Sequence, residues 1–198
     1  RLFPLGWSAD GKFAWITREV EEAAVDGIWT LTVLDTKSNK VVEEIEISEQ
    51  IPEEDEAWRN EKSITKFWAA KKAEVLAKLK KHGVKFRPTT MDHLPLVLGE
   101  RRGLIINPKL SVTKGEITFG EGVIGMKLTL DSGETESVIL EQKVEPNENI
   151  YAMGMAGCFH SPDEKFGAII VTSVSRGYEG APHPRDIHSV VGFRLQEP

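Results

Sequence analysis

The sequence is short of the features that mark disulfide-bonded, membrane-spanning and nucleic-acid-binding proteins. It has one cysteine, Cys158, in 198 residues, so no internal disulfide can form. No run approaches the roughly 18 apolar residues that a transmembrane helix needs. Acidic residues outnumber basic ones by 31 to 25. The net charge of −6 argues against generic nucleic-acid binding, which needs a basic surface to neutralise the backbone phosphates. We therefore predict no transmembrane segment and no nucleic-acid partner.

Motifs for cofactor, metal and catalytic sites are also scarce. Residues 120–125 satisfy Gly-x-Gly-x-x-Gly, but an alternating strand follows where a dinucleotide site needs a helix, so that site is rejected. There is no nucleophile elbow and no phosphate loop. No pair of histidines has the spacing of a zinc-binding helix; the five are His82, His93, His160, His183 and His188. We predict no cofactor, no metal and no catalytic residue.

A few polar groups still leave chemistry open, because convergent sites leave no local pattern. Asp92 with His93, or His160 with Asp163, could contribute to a metal site or a general base, although such neighbours are common on surfaces. Cys158 lies in a small apolar setting, which favours a buried small hydrophobe over a catalytic thiol.

Alternation of apolar and polar residues, broken by Gly-containing turn signals, predicts antiparallel strands in most of the chain. We expect one domain over residues 1–198, with a first β meander over 1–50 and a second meander with closing strands over 88–198. Short strands are expected at 104–106 and 117–119, among others. The fold class is α+β: mainly antiparallel meanders, in a barrel or small propeller-like arrangement, with one amphipathic helix on the sheet. Four tryptophans are expected to face the core: Trp7, Trp15, Trp29 and Trp68.

Residues 51–87 are predicted to form an acidic linker and this helix. Residues 43–62 hold nine acidic side chains against two basic ones, whereas residues 66–87 hold eight basic side chains against Glu74 alone. The helix is expected over about 63–82, with an apolar stripe formed by Ile64, Phe67, Trp68, Val75, Leu76 and Leu79. The acidic approach could lie against the basic helix, and membrane-surface binding is an alternative. We favour a solvated polar face and an apolar face packed on the sheet.

A turn motif, Ser-x-Asp-x-Lys-Phe, occurs at residues 8–13 and again at 161–166. Ser and Asp side chains can tie down a tight turn, and Phe can then enter the core. We predict that both copies are structural turns that launch buried strands. We also predict that these N- and C-terminal strands share one sheet that closes the domain.

The motif resembles the strand turn of TolB-like and WD40-like β-propeller blades. The two ends of the chain also resemble an uncharacterised family of predicted secreted bacterial proteins, known mainly from spirochaetes and related Gram-negative bacteria. The matches lie at residues 6–13, 161–165, 177–180 and 190–195, and the departures are Glu164 for a Gly and Ala181 before Pro182. The resemblance covers about the first and last fifty residues. It implies a β-rich fold, a removed signal peptide and a periplasmic or secreted location, and it carries no established activity.

The loop at residues 176–186 is the main candidate for a binding site. Long ordered loops on rigid β scaffolds often carry binding function. The candidate ligand-binding residues are Arg176, Tyr178, Glu179, His183, Arg185 and Asp186. We expect a non-catalytic binding domain of the bacterial cell envelope, whose partner is an unknown protein or a small-molecule or glycan ligand. The alternative is a hydrolase-like enzyme with its site on this loop, assisted by His160; a third reading is a hairpin whose charges pair internally.

Overall fold

The chain folds into antiparallel β-sheets and one α-helix over the residues that the computed structural model describes. These are residues 2–20, 27–48, 62–98, 105–118, 120–133, 136–175 and 185–195. Backbone contacts divide the chain into two compact units, residues 1–90 and 91–198. Each unit has its own hydrophobic core, and a single domain over the whole chain stays a prediction.

The first unit contains a five-stranded sheet and the helix. Its elements are β1 (Leu2–Ser8), β2 (Lys12–Val20), β3 (Gly27–Asp35), β4 (Lys40–Ser48), α1 (Lys62–Lys81) and β5 (Val84–Phe86). The strands lie in the order β4-β3-β2-β1-β5, and every neighbouring pair is antiparallel. The sheet is therefore a four-stranded meander that a short strand from beyond the helix extends along β1.

The helix packs the described part of its apolar stripe on this sheet, as predicted, and the Ile64 side chain lies outside the described residues. Phe67, Val75 and Leu79 are buried in a core with side chains of β2 and β3. Phe67 stacks on Trp29 of β3, with 4.3 Å between ring centroids. Burial of each such side chain contributes roughly 1.5–3 kcal/mol. The helix ends before Gly83, whose φ of +68° is the left-handed conformation that terminates many helices.

The predicted core positions of the tryptophans are largely confirmed. Trp7, Trp15 and Trp29 are buried, and Trp7 and Trp15 both lie against the ring of Phe13. Trp68 is only half-buried, because its ring stacks on Phe86, which is itself exposed.

The second unit contains two antiparallel sheets. The four-stranded sheet has the order β6-β7-β8-β9, and the three-stranded sheet has the order β10-β11-β12. The strands are β6 (Leu96–Val97), β7 (Ile105–Ile117), β8 (Gly120–Asp131), β9 (Glu136–Lys143), β10 (Ile150–His160), β11 (Phe166–Ser175) and β12 (Arg185–Arg194). Both sheets contribute to one core, for example through Leu128 of β8 and Ile169 of β11.

The mainly antiparallel β fold with a packed helix is thus confirmed, whereas the barrel or propeller-like arrangement is not. Each of the three sheets is open over the residues that the structure covers, with a strand at either end that pairs on one side only. Closure into a barrel would require the two end strands of a sheet to pair with each other.

Both copies of the turn motif share two hydrogen bonds of the Ser hydroxyl. Ser8 Oγ accepts from the backbone N–H of Lys12 at 2.7 Å, and Ser161 Oγ accepts from that of Lys165 at 3.1 Å. In each copy the Ser hydroxyl donates to the Asp two residues later. The fourth residue is left-handed in both, with φ of +91° at Gly11 and +54° at Glu164, so Glu164 adopts the conformation that a Gly would favour.

The prediction that the two motif strands share one sheet is wrong. The first copy launches β2, which is central in the five-stranded sheet, and the second launches β11, which is central in the three-stranded sheet. Each strand already pairs on both sides, with β1 and β3 or with β10 and β12, so neither has a free side for the other.

Candidate functional site

Most of the predicted ligand-binding loop lies outside the described residues. Arg176, Tyr178, Glu179 and His183 are all outside them. Arg185 and Asp186 begin β12, where their backbones pair with β11, and the Asp186 side chain is exposed. The structure therefore locates where the 176–186 loop ends, and the grouping of its six side chains stays a prediction.

A histidine that the sequence did not single out lies beside the end of this loop. His188 is two residues from Asp186 on the same face of β12, and its Nδ1 is 3.1 Å from Thr172 Oγ1 on β11. Burial lowers the pKa of His188, which favours the neutral imidazole at neutral pH. The hydrogen bond to Thr172 holds the ring in one orientation.

His160, the predicted contributor to a hydrolase site, contacts Asp92 instead of Asp163. Its Nδ1 lies 3.0 Å from Asp92 Oδ2, and about a third of each side chain is exposed, 33% and 36% respectively. Asp163 is occupied by the Ser161 hydroxyl, which donates to it at 2.6 Å. An Asp acceptor at Nδ1 favours the tautomer in which Nε2 can accept a proton, so this pair has the geometry of an oriented base.

The backbone of Asp92 is held against β10 by two hydrogen bonds with Cys158, at 2.8 and 3.1 Å. Gly157 permits this approach, since a Cβ there would lie only 2.7 Å from the Asp92 carbonyl oxygen. The backbone bridge to Cys158 therefore fixes the position of Asp92, from which its side chain contacts His160. His93 is exposed, and no cluster of three or more metal-ligating side chains occurs in the described part of the chain.

Cys158 itself is fully buried in the core of the second unit. Burial, and secondarily the charge of Asp92, raises the pKa of this thiol to about 12. The thiolate is the reactive form of cysteine, so Cys158 is inert at neutral pH and its interpretation as a small hydrophobe fits.

The outer edge of β4 is the feature of the first unit that sequence reasoning missed. β4 has nine residues and pairs with β3 alone over the described residues. Val41 is 51% exposed and Val42 43% exposed. A long edge strand that presents apolar side chains is a template for pairing with another strand. Alternation along residues 41–47 predicts a strand, but it does not reveal which strand will lie at an edge.

The two faces of β4 differ in charge. On the face toward α1, the carboxylate of Glu43 accepts a hydrogen bond from Lys81 Nζ at 2.6 Å and another from His82 Nε2. These hydrogen bonds, that from Lys81 first, lower the pKa of Glu43 to about 2. The residues that follow on this face, Ile45 and Ile47, pack into the core of the unit.

On the opposite face, Glu44 and Glu46 are exposed beside Thr32 and Thr30 of β3. No hydrogen bond or ion pair of either carboxylate occurs with the rest of the described chain. The pairing of β3 and β4 is regular from Glu43 to Ser48, after an irregularity opposite Val33 and Leu34. In the regular part of the edge, Glu44 and Glu46 therefore make one face acidic. On the other face the only acid is Glu43, and it is already bonded to Lys81 and His82.

No family model matches the chain, and no curated protein and no solved structure matches it. The resemblance to propeller-blade turns and to a secreted bacterial family therefore stays a prediction. Among the residues that the structure covers, no helix is both long enough and apolar enough to cross a lipid bilayer.

Proposed function

We propose that this chain is a non-catalytic binding domain of the bacterial cell envelope, periplasmic or secreted, and that a partner adds an extended segment to the edge of its sheet at β4. The observation that carries the proposal is the long β4 edge, which pairs with no further strand among the described residues and presents exposed valines. Strand addition obtains affinity from main-chain hydrogen bonds and specificity from alternate side chains. The envelope location rests on the resemblance of the two chain ends alone.

The contrast between the two edges of this sheet supports the choice of β4. The opposite edge, β5, has only three residues, and short edge strands are one way in which proteins avoid unwanted pairing. β4 has three times that length and contains no proline, which would block an added strand. Its single lysine, Lys40, stands at the very start.

A displayed library of random extended peptides tests the binding role. We expect enrichment of peptides whose addition slows amide hydrogen exchange specifically in residues 40–48. Outward-facing amides of an edge strand exchange readily until a partner strand covers them. A library that yields no peptide protecting β4 would overturn the proposal. The location has its own test: fractionation of the source cells with an antibody, where recovery with cytoplasmic markers contradicts an envelope role.

The alternative function is a hydrolase, and the His160–Asp92 pair is the observation that favours it. His160 pairs with Gly167 at the start of β11, whereas the strands enter and leave the 176–186 loop at Ser175 and Arg185, at the other end of β11, so this base would act apart from the loop.

If the pair acts as a base, substitutions His160→Ala and Asp92→Asn should both abolish hydrolysis of a panel of ester, peptide and glycoside substrates. His93→Ala is the matched control, since His93 is exposed and adjacent in sequence. Absence of turnover in the unsubstituted chain, or full turnover in His160→Ala, rules out this site.

A further inference from the structure

The side chains that flank the open edge of β4 define the chemistry of the segment that it accepts. We propose that the β4 edge binds an extended peptide in which basic residues alternate with β-branched apolar residues. This inference rests on the proposed binding function and adds the class of partner.

The acidic face sets the positions of the basic residues. Glu44 and Glu46 are both exposed on one face of β4, because residues two apart in a strand point to the same side. In an added strand, the residues directly opposite them would lie with Cβ atoms about 4.5–5.5 Å away. Lys or Arg at those positions places opposite charges together, whereas Asp or Glu there would repel.

The other face requires the intervening residues to be uncharged and apolar. Glu43 is already bonded to Lys81 and His82, so its charge is not open to a partner. Ile45, which is only partly buried, supplies an apolar neighbour on this side. Lys81 is 63% exposed and would oppose a cation placed near it. A segment with basic residues on both faces is therefore disfavoured, and an alternating one fits.

A second copy of β4 does not satisfy these conditions in the antiparallel register centred on Ile45. Antiparallel pairing of β4 with itself about Ile45 would set Glu44 opposite Glu46 twice. Like charges directly opposite each other across a strand pair are destabilising. The charge pattern thus favours a basic segment over self-pairing in that register.

The test uses synthetic peptides of one composition and the full chain. The probe is a fluorescein-labelled peptide that alternates Lys and Val, and the comparison peptide holds the same residues with all lysines first. We expect the alternating peptide to bind about tenfold more tightly by fluorescence anisotropy, and to slow exchange in residues 40–48. A third peptide that alternates Glu and Val should not bind.

The matched substitutions are Glu44→Lys/Glu46→Lys and Glu116→Lys/Glu121→Lys. The second pair is exposed, lies cross-strand on β7 and β8, and changes the net charge equally. We expect the β4 double substitution to weaken the Lys–Val peptide about tenfold and to admit the Glu–Val peptide. The control double substitution should change either affinity by less than about twofold. Circular dichroism checks that each variant is folded.

Two outcomes overturn the inference. One is equal binding of the alternating and block peptides, and the other is equal weakening by both double substitutions, since either would indicate non-specific attraction. The failure of the binding function itself is distinguishable. Library peptides that protect β4 but lack alternating basic residues overturn only the partner class, whereas the absence of any peptide that protects β4 overturns both.

Discussion

Replacement of Glu43 by Gln should destabilise the first unit in a pH-dependent way. The carboxylate joins β4 to the end of α1: it accepts hydrogen bonds from Lys81 and His82, and Lys78 Nζ lies 4.0 Å away. The Glu43 side chain is only 13% exposed. Its neutral amide replacement keeps the shape and loses the negative charge that attracts Lys78 and Lys81.

The shift in the Glu43 pKa gives the magnitude. The hydrogen bonds from Lys81 and His82 lower this pKa from 4.5 to about 2. At about 1.4 kcal/mol per pH unit, the shift corresponds to at most about 3 kcal/mol. The lysine partners reach into solvent, which screens the interaction, so the expected loss of unfolding free energy in Glu43→Gln is about 1 kcal/mol at pH 7.

The direction of the pH dependence follows from the lowered pKa. A carboxyl group whose pKa is lower in the folded state contributes its stability fully above the unfolded value of about 4.5, and loses it as the pH falls toward about 2. The difference between the unsubstituted chain and Glu43→Gln should therefore shrink by about half or more between pH 7 and pH 3.

Urea unfolding followed by tryptophan fluorescence measures this difference. All five tryptophans lie within residues 1–90, so the signal reports the first unit. Glu46→Gln is the matched control, because Glu46 is an exposed residue of the same strand. Equal stabilities of the two variants at pH 7, or a Glu43→Gln deficit that is unchanged at pH 3, would refute the reasoning.

Three further predictions concern the second unit, where modification of the single thiol reports opening. Ser161→Ala removes a buried acceptor of two backbone N–H groups, so the unfolding free energy of the unit should fall by about 1–3 kcal/mol. Thiol labelling of Cys158 in urea measures this change, and unchanged labelling contradicts it. Gly167→Ala places a Cβ 2.0 Å from the Phe193 ring and should cost about 1–3 kcal/mol by thermal unfolding, whereas Gly154→Ala, with nothing within 4 Å, should cost under about 0.5. Cys158, with its raised pKa of about 12, should react with iodoacetamide at pH 8 about 1000-fold more slowly in the native than in the unfolded chain.

Local patterns in the sequence predict the elements well where one face of an element is buried. The helix was expected at about 63–82 and spans Lys62–Lys81, because its apolar stripe at helical spacing meets the sheet. The strand β7 is a different case. Short strands at 104–106 and 117–119 were expected, but one strand runs from Ile105 to Ile117. Pro108 is tolerated there because β6 pairs only with Ile105 and Ile106, so one side of β7 needs no donor at that position.

The turn motif shows why the same local information does not extend to sheet partners. Its hydrogen bonds join residues at most five apart, so sequence alone predicts the turn and the strand that leaves it. Which strands flank β2 and β11 depends on long-range pairing, and the repeated motif carries no signal for it.

The candidate sites depend on contacts of the same long-range kind. His160 had a nearby acid in sequence, Asp163, yet Ser161 engages that carboxylate and His160 bonds to Asp92, 68 residues away. The turn thus engages the acid that is near in sequence, and the contact that His160 makes is a long-range one. At β4, likewise, Lys81 of α1 bonds to Glu43, whereas Glu44 and Glu46 remain exposed. In both places, some charged side chains are bonded within the fold and others are left exposed. Which side chains belong to which group depends on long-range contacts, so it can be seen only in the folded structure.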